Sequence, residues 1–317
     1  MDKTEVLVTV SSALISHEDC LLHMMGEHHP ERPSRLLAIR DELQRLGLNK
    51  KIKTYDAPLI ERSLLEAAHD PDYVQKLFAT AVGNELVWLD PDTAMSRHTL
   101  AAARRAAGAA VLGVDLVMSD QAETVFCAVR PPGHHAEYGR AMGFCFFNNV
   151  AVAARYGLAA YDLERIAIVD FDVHHGNGTE NIFAGDARVL VCSSFQHPFY
   201  PHSGHACEAT NVVNVPLPAG SDGGEFRRAV QDKWLPALTE FAPQLILISA
   251  GFDAHRADDI AQLAFDEDDY AWITRKLLAQ AELSAERRVV SMLEGGYELQ
   301  SLARSVASHL EVLSADG

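Results

Sequence analysis

Hydrophobic positions in this 317-residue chain fall into short, β-branched runs separated by longer segments with helical spacing. That alternation is the pattern of a parallel sheet covered by helices on both faces, an α/β fold. The runs Val125–Val129, Ile166–Val173, Val189–Ser193, Leu245–Ala250 and Val289–Leu293 predict strands. Helices are expected at about 33–47, 71–82, 96–118, 148–158, 224–241, 267–281 and 298–314. The apolar stretch Ala101–Val117 is shorter than the roughly 20 residues a bilayer span requires and reads as a buried helix. With no internal repeat and no low-complexity linker, one domain is expected over residues 1–317. Three polar or Gly/Pro-rich loops, Pro131–Gly143, Gln196–Cys207 and Gly251–Leu263, each follow a strand. In open α/β sheets that is where ligands bind.

Composition narrows the class. A hydrophobic fraction of 48% supports a sizeable core, and a formal net charge of -17 argues against a basic surface for nucleic acid or an anionic membrane. Asp2 and Glu5 stand where a secretory leader would carry basic residues, so a non-secreted protein is expected. The five cysteines, Cys20, Cys127, Cys145, Cys192 and Cys207, are scattered and form no CxxC pair. They predict a reducing cytoplasm and neither a disulfide framework nor a cysteine metal site.

Four motifs carry chemistry. In Asp170-Phe171-Asp172-Val173-His174-His175-Gly176-Asn177-Gly178, alternation along an extended strand would place Asp170, Asp172 and His174 on one face. So many ionisable groups together call for a cation or mutual pairing. Asp253, in Gly251-Phe252-Asp253, adds a carboxylate from another strand end. Two carboxylates and one imidazole leave an open position, as catalytic zinc requires, although such a set also accepts iron. In Arg130-Pro131-Pro132-Gly133-His134-His135, both rings can face one site only where Pro and Gly make the backbone irregular. One histidine is then a candidate general base and the other a stabiliser of developing charge. Leu293-Glu294-Gly295-Gly296-Tyr297 presents a phenol that could hold an oxyanion.

Read jointly with His28-His29-Pro30-Glu31-Arg32-Pro33-Ser34-Arg35-Leu36 and Leu89-Asp90-Pro91-Asp92-Thr93, these motifs resemble the histone deacetylase family. The likeness is to its class II branch, with the bacterial histone deacetylase-like amidohydrolases and acetylpolyamine amidohydrolases. The resemblance implies an arginase/deacetylase-like three-layer fold with a central parallel sheet flanked by helices. It implies zinc ligands Asp172, His174 and Asp253, tandem histidines His134 and His135, and a carbonyl-polarising Tyr297. Asp170 matches the carboxylate that orients His134, and Asn177 the partner of His135; an Asn there favours class II. His135 matches the general base and acid. Gly143-Phe144 and Phe199-Tyr200 resemble the walls of an acyl-lysine channel, with Phe144 and Tyr200 favoured and core packing an equal reading for Phe199. Asp90 or Asp92 would meet substrate at the rim, with helix capping the other reading for Asp92. A potassium ion beside the zinc strand, near Ser193, is implied as well.

The activity implied is hydrolysis of acetyl or other acyl groups from lysine side chains of proteins or peptides. Acetylated polyamines are the alternative substrate. Ile260 falls where a polyamine-selective relative can carry an acidic gatekeeper, which favours acyl-lysine. A two-manganese arginase-type hydrolase would need a denser aspartate set, and a non-catalytic acyl-lysine binder would be expected to lack Tyr297. A homo-oligomer is compatible with the family.

Overall fold

The computed structural model describes residues 10–315. The acidic N-terminal positions Asp2 and Glu5 lie outside it. Ten strands occur among the described residues: β1 (Val10–Ser16), β2 (Lys53–Asp56), β3 (Val87–Asp90), β4 (Thr93–Met95), β5 (Ala122–Cys127), β6 (Ile166–Asp170), β7 (Val189–Gln196), β8 (Val212–Leu217), β9 (Leu245–Ala250) and β10 (Val289–Leu293). Eight form one sheet in the order β2-β1-β5-β10-β9-β6-β7-β8, and every pair in it is parallel. β3 and β4 form a separate antiparallel hairpin.

Helices cover both faces, as the near-continuous apolar strands require. On β5 and β10, Val125 and Val290 approach Gly113 of the helix Thr99–Met118. Their neighbours point the other way: Thr124 Oγ1 donates to Leu313 O (3.1 Å), and Ser291 Oγ lies 2.9 Å from His309 Nε2. Both partners belong to the helix Leu299–Leu313. The single helix expected at 224–241 is three consecutive helical segments, with a wider turn at Val230–Trp234. No helix among the described residues is long and apolar enough to cross a membrane.

A buried charge cluster fastens the amino-terminal motif to the strand ends. Glu31 is fully buried and accepts from both Arg130 Nη2 (2.6 Å) and Arg35 Nη1 (3.1 Å). Arg35 continues to Gly296 O (2.6 Å) and Glu294 O (2.5 Å), so the pairing props the turn that carries Tyr297. Burial pushes the Glu31 carboxyl up, but Arg130, with His23 and Arg35, outweighs it and holds the group at about 2. Its contribution to stability is therefore complete above about pH 4.5 and is lost as pH falls through about 2. Glu31→Ala, which leaves two guanidinium groups buried and uncompensated, is expected to cost about 3–5 kcal/mol at pH 7. Equilibrium urea unfolding of the variant beside wild type checks this.

Candidate metal and acyl-transfer site

The four chemical motifs leave the carboxyl ends of β5, β6, β9 and β10. These strands are scattered in the chain but adjacent in the sheet, in the order β5-β10-β9-β6. Topology alone brings the motifs together.

The strand expected over Ile166–Val173 stops at Asp170, so alternation does not set the positions of Asp172 and His174. Beyond the strand each carboxylate captures the amide two residues on: Asp172 N donates to Asp170 Oδ1 (3.0 Å) and His174 N to Asp172 Oδ1 (2.8 Å). Asp side chains compete with a sheet ladder in this way, and the chain turns. The consequence is a division of labour that a straight strand would not give.

Asp172, His174 and Asp253 form a buried group whose ligand atoms all lie within 4.8 Å of one another. His174 Nδ1 is 3.0 Å from Asp172 Oδ1 and 3.3 Å from Asp253 Oδ2. Val173 N donates to Asp253 Oδ1 (2.9 Å), and Asp253 Oδ2 is buried without a hydrogen-bond partner. Burial, then the Asp172 charge, pushes the Asp253 carboxyl up to about 6. A Cβ on Gly295 would lie 2.0 Å from Asp253 Oδ2, so only glycine lets this strand end close over the cluster. An orphaned carboxylate oxygen, crowded negative charge and a hard/borderline donor set fit a divalent cation such as zinc.

Asp170 turns instead to His134, whose Nδ1 lies 2.8 Å from Asp170 Oδ2. Burial opposes a charge on this ring, but Asp170 and Asp172 outweigh it and raise the imidazole well above its ordinary range. His135 is held the other way: burial, then His134 and His174, keep it well below. Its Nδ1 lies 2.7 Å from Asn177 Oδ1, and Asn177 Nδ2 donates to Glu137 Oε1 (2.8 Å), which fixes the amide orientation. Nδ1 of His135 therefore carries the proton and Nε2 is a free base.

A cavity of about 210 Å³ opens above these groups. Its lining includes His134, His135, His174, Tyr297, Asp92, Gly143, Phe144, Phe199, Tyr200 and Ile260. Gly143 is in the left-handed region (φ +56), and a Cβ there would meet the His135 ring at 2.4 Å. Phe144 follows at φ +68, a strained value for a bulky residue. Asp92 Oδ1 accepts from Gly143 N (3.1 Å) and Thr93 Oγ1 from Phe144 N (3.0 Å), so the β3–β4 hairpin holds this turn. Of the two rim aspartates only Asp92 lines the cavity, and it sits in a hairpin rather than at a helix start. Phe199 is not core: its ring stacks on His174 at 5.4 Å and 22°.

Two further carboxylates, to which the sequence assigned no role, brace the site. Asp258 Oδ2 accepts from Tyr297 N (2.6 Å) and Glu298 N (3.0 Å). Glu294 Oε2 accepts from Gly133 N (2.6 Å) and His134 N (3.1 Å). Glu294 lies inside the Leu293–Tyr297 motif and Asp258 in the loop Gly251–Leu263, but the partners of both are distant in sequence.

The histone deacetylase domain model matches residues 29–313. The chain belongs to the histone deacetylase family. Its α/β architecture is the arginase/deacetylase fold: the crystal structure of the HDA15 HD domain superposes with a TM-score of 0.89 at 33% identity, over 97% of this chain and 89% of that one. Among curated relatives of this histone deacetylase family member, a probable deacetylase of Archaeoglobus fulgidus is 35% identical over 91% of this chain and 82% of its own length. The mouse polyamine deacetylase HDAC10 is 35% identical over 97% of this chain but only 49% of its own length. The chain thus spans about half of that relative. Family membership makes it a hydrolase of the deacetylase type.

Proposed function

We propose that this deacetylase removes acetyl or other acyl groups from lysine side-chain amides of proteins or peptides, using one zinc ion held by Asp172, His174 and Asp253. The observation that carries the reading is the convergence of that buried Asp-His-Asp group, the tandem histidines and a phenol at one aromatic-walled cavity. Bound there, zinc would acidify a water toward a pKa of ~7 and polarise the amide carbonyl. His135 Nε2 takes the proton as water attacks, while Asn177 holds the opposite ring nitrogen. His134, held through Nδ1 by Asp170, and the Tyr297 hydroxyl stabilise the developing oxyanion. Protonated His135 then delivers its proton to the departing amine, so the free lysine and a carboxylic acid leave. Phe144, Phe199 and Tyr200 would clasp the methylene stem, with Gly143, Asp92 and Ile260 completing the substrate-facing wall.

A potassium ion beside the main chain of 170–174 is part of the same reading, supported by Ser193 Oγ, which is buried without a partner. One catalytic domain over residues 1–317 and cytoplasmic work accord with the continuous motif set and the free thiols.

The second reading, acetylpolyamine hydrolysis, draws on the mouse relative's name. Ile260 argues against it, since an apolar residue at the cavity lining offers nothing to a second ammonium group. Turnover of a fluorogenic acetyl-lysine peptide beside N-acetylputrescine tests the choice. The peptide is the expected substrate, and a preference for N-acetylputrescine would reverse the order. Ile260→Glu is expected to shift the ratio of the two kcat/KM values toward the polyamine by about five- to tenfold, the scale of one partly screened ion pair.

A further inference from the structure

Glu294 ends the Val289–Leu293 strand and is fully buried. Its carboxylate accepts from Gly133 N, His134 N and, through Oε1, Ser249 Oγ (3.1 Å), with no ion-pair partner among the described residues. Burying a carboxylate is costly, and burial pushes this one up to about 7, with His134 opposing the shift. Its own backbone is fixed on both sides: Glu294 N donates to Ala250 O (3.0 Å), and Glu294 O accepts from Arg35. The peptide it grips is the one at which both histidines must turn into the site. On the far side, His134 O accepts from Gly178 N (3.0 Å) and Thr179 N (3.3 Å), next to the Asn177 that holds the His135 ring. The His134 backbone is therefore clamped between Glu294 and the start of the helix Asn177–Phe183.

We propose that Glu294 is a positioning residue for the reaction: it locks the Gly133–His134 peptide, and with it the tandem histidines, to the strand end that leads into Tyr297. This rests on the proposed deacylase reading for its catalytic consequence, but the clamp itself can be read without turnover. What the loop needs is an acceptor at the right reach rather than a charge. Glutamine supplies this, its oxygen accepting both amides and its NH2 group donating to Ser249 Oγ. Aspartate keeps the charge but is one methylene shorter and falls away from both amides. Alanine leaves two buried N–H groups unpaired.

The test compares wild type with Glu294→Gln, Glu294→Asp and Glu294→Ala, each with metal content measured. Amide hydrogen exchange at Gly133 and His134 should be slow in wild type and Glu294→Gln, and at least about tenfold faster in Glu294→Asp and Glu294→Ala. On the acetyl-lysine peptide, kcat should stay within about fivefold in Glu294→Gln and fall about 10–100-fold in Glu294→Asp, with KM within about twofold. Should Glu294→Ala fail to fold, the Gln and Asp pair decides. Exchange unchanged in Glu294→Asp, or Asp as active as or more active than Gln, overturns the proposal. A wild type silent on both substrates would defeat the functional reading, while the exchange pattern would still decide whether Glu294 clamps the loop.

Discussion

Replacing Tyr297 with phenylalanine lowers kcat about 10²–10³-fold and leaves KM and metal content near wild type, the signature of an oxyanion donor felt in the transition state. The ring is positioned independently of its hydroxyl. The Arg35 guanidinium stacks 4.9 Å from its centroid, Phe144 meets it edge-on at 6.0 Å, and Asp258 grips its amide. Phenylalanine keeps all three contacts and loses only the donor. Burial pushes the phenol well above its ordinary range, so the hydroxyl stays protonated and able to donate at working pH. Steady-state kinetics on the acetyl-lysine peptide give the answer. A variant within about threefold of wild type would remove Tyr297 from the mechanism.

Asp253→Asn is expected to lower kcat/KM at least about 10³-fold and to strip the protein of its metal, since loss of that centre forfeits several kcal/mol of charge stabilisation. This substitution separates metal binding from folding better than a change at Asp172. Asp172 serves two backbone amides, of His174 and Gly295 (2.8 Å), and its loss orphans them. Asp253 commits one oxygen to Val173 N, while the other makes no hydrogen bond and lies 3.3 Å from His174 Nδ1, so an Asn oxygen keeps the backbone bond and its NH2 takes the place of the second oxygen. Metal analysis by mass spectrometry, with thermal unfolding to confirm an intact fold, checks this. Full activity in a metal-free Asp253→Asn protein would contradict the account.

The central strands were legible because strands buried on both faces leave unbroken apolar runs, as in Leu245–Ala250 and Val289–Leu293. The margins were not. β2 is a charged, mostly exposed edge strand, and β8 is an edge that tolerates Pro216. The serines of β1 mask its place beside β5. Within the site, residue types near the strand ends brought out His134, His135, His174 and Tyr297, and the family resemblance brought out Phe144, Tyr200, Asp92 and Ile260; all of these line the cavity. Their geometry was less accessible. Alternation was applied past Asp170, where side-chain to backbone bonds take over from the ladder. Asp258 and Glu294 were invisible as supports because their partners, Tyr297 and Gly133, are brought near only by the strand order.

The most direct test of the account is a zinc titration of chelator-stripped protein, followed by deacylation of the acetyl-lysine peptide. The account predicts that stripping abolishes turnover and that activity returns in proportion to added zinc, reaching its plateau at one ion per chain. Undiminished activity in the stripped protein, or a plateau only at two ions per chain, would contradict it.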